Sequence, residues 1–387
     1  MQVRVHQVVP IVYCSFAFDS LLKIDLGFQI HIGILLMLAV NAYFLLTNPT
    51  KLKISLNKEQ AFLIFILFSV LTGYFRQTAG ALQISIYLLI ALNVALFCQY
   101  SRPFLNKSHF RWFQWLMIIT GLIQFGAFKL FGYQIAFIDP EHYEKGYSVT
   151  HRLRGFFIEP NWYAIAFAFN SLLLFGNELK QTFKQYWLLS LLTLVVMILN
   201  GTIATMAVLL LVYAWPVFKA RPIRGLFLFA IMASVLVAVL SFRASLSQSE
   251  DNASALNHGS RIKPLIRVIN YQYDNKPLNV IFGNGLGSWG THAVGNRLSV
   301  LVYEPGKAVR DGSELPVFIF EVGVVGTLLF LFYLLSKFKS VNDSQFHIRG
   351  AVLLFFVSFL LYPTLKFWMY MPYFFYAVSR FDETELD

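Results

Sequence analysis

Long apolar runs alternate with short stretches rich in lysine and arginine along most of the chain. A helix that crosses a bilayer needs about 20 predominantly apolar residues. By that measure the runs near 8–22, 28–47, 60–75, 81–100, 111–131, 160–176, 186–200, 202–218, 225–242, 315–336, 348–362 and 365–380 read as spans. The pattern therefore predicts an all-α integral membrane protein, a polytopic bundle of about 12 transmembrane helices forming one membrane domain over 1–387. The first run is short and carries Asp19, and the run from 186 to 218 is split by Asn200-Gly201-Thr202. Pro363 and Pro372 punctuate the last pair. Such breaks are tolerated in membrane helices where neighbours satisfy the freed backbone groups.

Basic residues of the short connections gather on one side. Lys51, Lys53, Lys58, Arg102, Lys107 and Arg111 belong to it, followed by Lys180, Lys184, Lys219, Arg221 and Arg224, then Lys337, Lys339 and Arg349. The opposite side offers Lys23, Arg76 and Lys366. The positive-inside rule makes the basic side cytoplasmic and places both termini there. Two large loops, about 132–159 and 243–314, then face outward. The second contains SRIKPLIRVINYQY (260–273), whose apolar Ile262, Leu265, Ile266 and Ile269 suit an amphipathic helix lying on the membrane surface. A glycine-rich stretch, IFGNGLGSWG (281–290), follows it. No internal repeat of the inverted-transporter kind is visible.

Composition agrees with this class. The chain is 57% hydrophobic and 13% charged, against about 25% charged residues in a soluble domain. The several soluble domains that its length would allow are thereby excluded. Cys14 and Cys98 lie far apart in apolar runs and read as small buried hydrophobes. MQVRVHQVVP lacks a small-residue cleavage site, so the first apolar segment is expected to stay as an anchor. Without a P-loop, a dinucleotide fingerprint, an HExxH motif or a Cys/His cluster, neither a cofactor, a metal nor a nucleic-acid partner is expected.

Charge adds a different signal. Formal net charge is +11, and both outer loops contribute: Lys145, Arg152 and Arg154 in one, and Arg243, Arg261, Lys263, Arg267, Lys276, Arg297, Lys307 and Arg310 in the other. Solvation and attraction to anionic headgroups account for a lysine in such a place. Arginine has a planar fork that grips phosphate oxygens in pairs, and several near a membrane surface suggest a phosphate-bearing ligand.

Three blocks carry a family resemblance. HRLRGFFIEPNWYA (151–164) contains R-x-x-G-x-x-x-E-P-N before an apolar run. Ser260-Arg261 precedes PLNVIFGNGLG (277–287), and LPVFIFEVGVVG (315–326) contains E-x-G-x-x-G. In order and spacing they resemble the signature regions of bacterial O-antigen polymerases, which are related to the O-antigen ligases. The resemblance implies a GT-C-like helical bundle in the inner membrane with its active site facing the periplasm. It implies an oligosaccharide repeat-unit polymerase, a metal-independent glycosyltransferase. Such an enzyme moves a glycan from undecaprenyl pyrophosphate to a sugar hydroxyl of another lipid-linked repeat unit. Implied partners are undecaprenyl-pyrophosphate-linked oligosaccharides, membrane lipids, a chain-length regulator and a flippase. The sequence departs from the ligase pattern at Arg310-Asp311-Gly312-Ser313-Glu314, where no histidine precedes the E-x-G helix. A ligase acting on lipid A-core and a polysaccharide or lipid transporter are the competing readings.

This chemistry needs cations for a departing pyrophosphate and a group to receive the acceptor proton. Arg152, Arg154, Arg261, Arg267 and Arg310 are the candidates for the first role. Glu159, Asp311, Glu314 and Glu321 are candidates for the second, with His292 an unaligned substitute. Each has a plainer account. Glu159 before Pro160 suits a helix start, and Asp311-Gly312-Ser313 suits a turn and N-cap. Glu321 differs, because a lone carboxylate in a membrane segment is costly and faces a cavity or a partner. Gly283, Gly285 and Gly287 suit either a close approach to phosphate or hairpin turns, and Asn161 belongs to the helix start. Gly323 and Gly326 suit close helix packing. Asn200, Thr202 and Thr205 suit hydrogen bonds across helices or around the break.

Overall fold

A computed structural model describes residues 5–18, 21–25, 29–47, 100–132, 152–157, 159–176, 184–227, 259–289, 313–341 and 345–361, with scattered positions in 68–98, 230–237 and 293–298. Its architecture is all-α apart from one small hairpin. Helix α1 (Val5–Ser15) ends in a 3-10 turn, Phe16–Phe18, and strands β1 (Lys23–Asp25) and β2 (Gln29–His31) pair antiparallel with Lys23 opposite His31. Then come α2 (Ile32–Thr47), α3 (Lys107–Phe131), α4 (Pro160–Phe175), α5 (Trp187–Asn200) and α6 (Ile203–Ala220). The chain continues with α7 (Gly259–Asn275), α8 (Pro277–Phe282), α9 (Glu314–Ser340) and α10 (Phe346–Leu361).

Three described helices, α3, α6 and α9, are long and apolar enough to cross a membrane, and they point to a membrane protein. Helices α2, α5 and α10 are apolar but shorter. The expected first span, 8–22, differs from the structure: its helix stops at Ser15, and the chain turns at Phe16–Phe18. The described helix holds 11 residues, about 16 Å at 1.5 Å each. The expected spans 60–75, 81–100, 225–242 and 365–380 lie wholly or partly outside the described residues.

Local chemistry sets the ends of α3. The Asn106 side chain accepts from the backbone N–H of Ser108 and His109, while His109 Nδ1 accepts from Asn106 N, a reciprocal capping box. Gly132, at φ 63°, closes the other end.

Helix α4 forms the central column. Every residue in it except Asn161 is buried, and α3, α5, α6 and α10 pack around it. A polar layer crosses this otherwise apolar core. Asn170 Nδ2 donates to Gln114 Oε1 at 2.6 Å, Gln114 Nε2 donates to Ser171 Oγ at 2.9 Å and Thr193 Oγ1 at 3.1 Å, and Tyr13 Oη donates to Asn170 Oδ1 at 3.2 Å. Polar groups removed from water stabilise only when partnered, so this layer fixes which faces of α1, α3, α4 and α5 meet.

Candidate functional site

The HRLRGFFIEPN block wraps around the join between α5 and α6. Helix α5 ends at Asn200, Gly201 adopts φ 67°, and Thr202 opens α6. An interrupted helix leaves carbonyls without intrahelical donors, and the 152–161 segment supplies them. Arg152 Nε donates to Asn200 O at 2.8 Å, and its Nη2 donates to Thr202 Oγ1 at 2.7 Å and Asn161 Oδ1 at 3.2 Å. Asn200 answers with its own side chain: Nδ2 donates to Leu153 O at 2.7 Å and Pro160 O at 2.8 Å. The break and the loop thus satisfy each other.

Helix α3 holds the middle of the block. Gln124 Oε1 accepts from the backbone N–H of Arg154 at 3.0 Å and of Gly155 at 3.3 Å. Gly155 has φ +56°, and a Cβ there would sit 3.2 Å from both Thr120 Oγ1 and the Tyr163 ring. Left-handed backbone in so tight a place favours glycine.

Arg154 leaves this turn for the interior and is 1% exposed. Burial pushes its guanidinium down to about 10, while the Glu159 carboxylate opposes the shift, so the group is charged at neutral pH. Glu159 is half-buried and occupies the N-cap of α4, with Pro160 next, but its side chain makes no capping hydrogen bond. Its carboxylate acts on Arg154 instead. The positive end of the α4 dipole lies at the same place and favours an anion.

The second group is built on a break inside α9. At Gly323 the backbone takes φ 68°, ψ −173°, and at Gly283, just past α8, φ 75°, ψ 178°. Both conformations are open essentially to glycine alone. The two glycines are pressed together. A Cβ on Gly283 would overlap Glu321 O, and one on Gly323 would overlap the backbone of Gly283 and Ile281.

The carbonyls freed by this break are also capped. Phe320 O accepts from Asn284 N at 2.8 Å, Asn284 Nδ2 at 3.1 Å and Gln272 Nε2 at 3.1 Å, and Glu321 O accepts from Gly285 N at 2.8 Å. Asn279 Nδ2 donates to Asn284 Oδ1, and Gln272 Nε2 reaches Asn279 O at 3.2 Å. The Glu321 carboxylate, 1% exposed, accepts from the backbone N–H of Trp289 at 3.2 Å. Trp289 packs with Val268, Val317 and Phe320 in a small core between α7 and the first half of α9.

The expected site residues therefore fall into two groups. Arg152, Arg154, Glu159 and Asn161 belong to the first; Gly283, Gly285 and Glu321 belong to the second, with Gly287 at φ 82° in the same loop. Glu314 is fully buried in the first turn of α9 and shares a face with Glu321, about 10 Å away along the axis. Helix α10 packs on both α4 and α9. Arg267 is exposed on α7. Arg261 lies in the first turn of α7, and its side chain falls outside the described residues, as do Arg310, Asp311 and His292.

Sequence reasoning passed over Gln124, Gln272, Asn279 and Asn284, all buried. Gln124 carries a signal, as a lone amide in an apolar run, whereas Gln272, Asn279 and Asn284 stand among other polar residues and carry none. Among the described residues, no group of His, Cys, Asp and Glu is arranged to hold a metal ion. No family model matches the chain, and no curated protein matches it.

Proposed function

We propose that this chain is a membrane glycosyltransferase that joins lipid-linked oligosaccharide repeat units into a surface polysaccharide of the O-antigen type. The observation that supports it best is Arg154, a buried guanidinium charged at neutral pH beside the start of α4. A cation and a helix N-terminus converging in a low-dielectric place suit a departing pyrophosphate. In the reaction, the bond from the anomeric carbon to the phosphate oxygen breaks, and a bond to the acceptor hydroxyl oxygen forms. The hydroxyl proton passes to a carboxylate, and undecaprenyl pyrophosphate leaves.

Arg154 stabilises the developing charge, a role worth about 3–4 kcal/mol for one well-placed donor, with Arg261, Arg267 and Arg310 as further cations. Arg152 positions it by tying the loop to Asn200 and Thr202. Glu321, oriented by Trp289 N, is the first candidate for the base, ahead of Glu159, Asp311 and Glu314, because Glu159 is engaged with Arg154. The proposal includes a twelve-span bundle in the inner membrane, both termini cytoplasmic, the site facing the periplasm, and a chain-length regulator and flippase as partners.

Purified protein in vesicles should convert undecaprenyl-pyrophosphate oligosaccharide into a ladder of longer chains. Glu321→Gln should lower the rate at least about a hundredfold with the melting temperature retained. A fully active Glu321→Gln protein would remove Glu321 from the chemistry. The interruptions at Gly201 and Gly323 favour one other reading, since transporters build sites from broken helices. Movement of the lipid-linked substrate across the vesicle without elongation would establish that reading in place of the polymerase.

A further inference from the structure

Helix α7 carries three distinct faces. At about 100° per residue, Pro264, Val268 and Gln272 form one, and all are buried. Arg267, Asn270 and Asp274 form a second, which is polar and exposed. Ile266, Ile269 and Tyr273 form a third, apolar and also exposed. A helix supported on one side needs no second apolar face unless something apolar meets it. Helix α8 repeats the arrangement, burying Asn279 and exposing Leu278, Ile281 and Phe282 at i, i+3 and i+4.

What meets these faces follows from α9. Its exposed residues Val324, Leu328, Phe332 and Leu335 form a stripe along a helix of membrane-spanning length and composition. That stripe begins where α8 ends. The backbone of Ile281 and Gly283 touches Gly323, so exposed Phe282 and exposed Val324 flank one contact. The apolar surface of α8 therefore continues the lipid-facing surface of α9.

Depth agrees. From Lys339, an exposed charged residue in the last turn of α9, back to Gly323 is about 24 Å at 1.5 Å per residue. The hydrocarbon core is about 30 Å thick, so the break lies inside it, in the leaflet at the Glu314 end. Irregular backbone survives at that depth only when sealed in protein. Gly283, Asn284 and Gly285 are buried, and the freed carbonyls of Phe320 and Glu321 have their donors.

We propose that α8 is a re-entrant membrane element. The acyl chains of one leaflet cover Leu278, Ile281 and Phe282, and α7 floats at that leaflet's surface with Ile266, Ile269 and Tyr273 toward lipid. Arg267 and Lys276, both exposed, then stand at headgroup level. This inference requires α9 to span the bilayer and does not depend on the glycosyltransferase reading.

Nitroxide labels test it in the full chain, reconstituted into vesicles of phosphatidylethanolamine and phosphatidylglycerol, with Cys14 and Cys98 replaced. Labels introduced by Leu278→Cys, Ile281→Cys and Phe282→Cys should collide with oxygen as readily as one at Leu328, and poorly with a nickel chelate. A label at Asn270 should show the reverse preference. Nickel access at the α8 positions equal to that at Asn270 would overturn the proposal. So would exclusion of both reagents, which would mean that a protein surface covers α8. The unsubstituted protein supplies a second measurement, in vesicles whose lipids carry a diazirine on the acyl chain. Photolysis should place adducts within 277–282 as well as 324–335; adducts in the latter stretch alone would also overturn it.

Discussion

Gly201 and Gly323 both interrupt helices, at φ 67° and φ 68°, yet the two breaks are stitched by different means. At Gly201 a cation does the work: Arg152 caps Asn200 O and binds Thr202, and the Asn200 amide ties back two loop carbonyls. At Gly323 neutral groups do it, with Gln272, Asn284 and the Gly285 amide dividing two carbonyls among them. The difference follows from surroundings. Arg152 is only partly buried, so its charge keeps some solvation, whereas Gln272 and Asn284 are buried, where an added charge would be costly. Both polar motifs thus have a structural duty at a helix break, and each adds charge beyond that duty: Arg154 with Glu159 in the first, the Glu321 carboxylate in the second.

The glycines offer the harshest way to break this comparison. Gly323→Ala forces a Cβ into a backbone region closed to it and onto the backbone of Ile281 and Gly283. Strain and overlap together should cost more than about 3 kcal/mol, seen as lost monodisperse protein in detergent. Gly201→Ala meets nothing nearer than 3.9 Å and should cost about 1–2 kcal/mol for left-handed backbone alone. Equal losses would mean that the tight Gly283–Gly323 contact does not govern the second break.

Next in size is the cation. Arg152→Ala uncaps Asn200 O and removes the charged donor from Thr202 and Asn161, which keep a bond to each other, and should lower stability by about 3 kcal/mol, whereas Asn284→Ala, removing neutral bonds, should cost about 1–2 kcal/mol. Arg152→Lys should recover less than half of the loss, because an ammonium cannot address three acceptors with one rigid fork. Thermal unfolding of the purified variants measures all three. Full recovery by lysine would reduce Arg152 to a point charge.

Much of this arrangement could be read from the chain, for local reasons. Apolar run length placed α3, α6 and α9, whose ends Asn106, Thr202 and Ser313 lie at changes from polar to apolar sequence. Asn200-Gly201-Thr202 announced a break because a polar residue and a glycine interrupt an apolar run. Gly323 did not, since V-G-V-V-G inside such a run fits close helix packing equally well. Only the tertiary contact with Gly283 distinguishes the two, and that contact joins residues far apart in sequence. Gln272 and Asn284 escaped notice for the same reason: their acceptor, Phe320 O, exists only because α9 is broken. The end of α1 falls earlier than the pattern predicts because apolar composition continues through Phe16–Phe18, where the helix has already given way to a 3-10 turn.

The mildest effect separates Arg154 from Arg152 by pH. Burial holds the Arg154 guanidinium at about 10, below its value in an unfolded chain, so above that pH the unfolded state binds more protons. Stability contributed by this residue therefore rises with pH there, while its use as a cation is lost. Wild-type elongation activity should fall as pH passes about 10, with no parallel loss of folded protein. Arg154→Lys should move that alkaline limb lower, because a lysine starts near about 10.4 and the same burial lowers it further. Arg152→Lys should leave the limb in place, since its effect lies in the fold. If Arg154→Lys left the limb unmoved, the titrating cation would lie elsewhere, and the two arginines would share a purely structural duty.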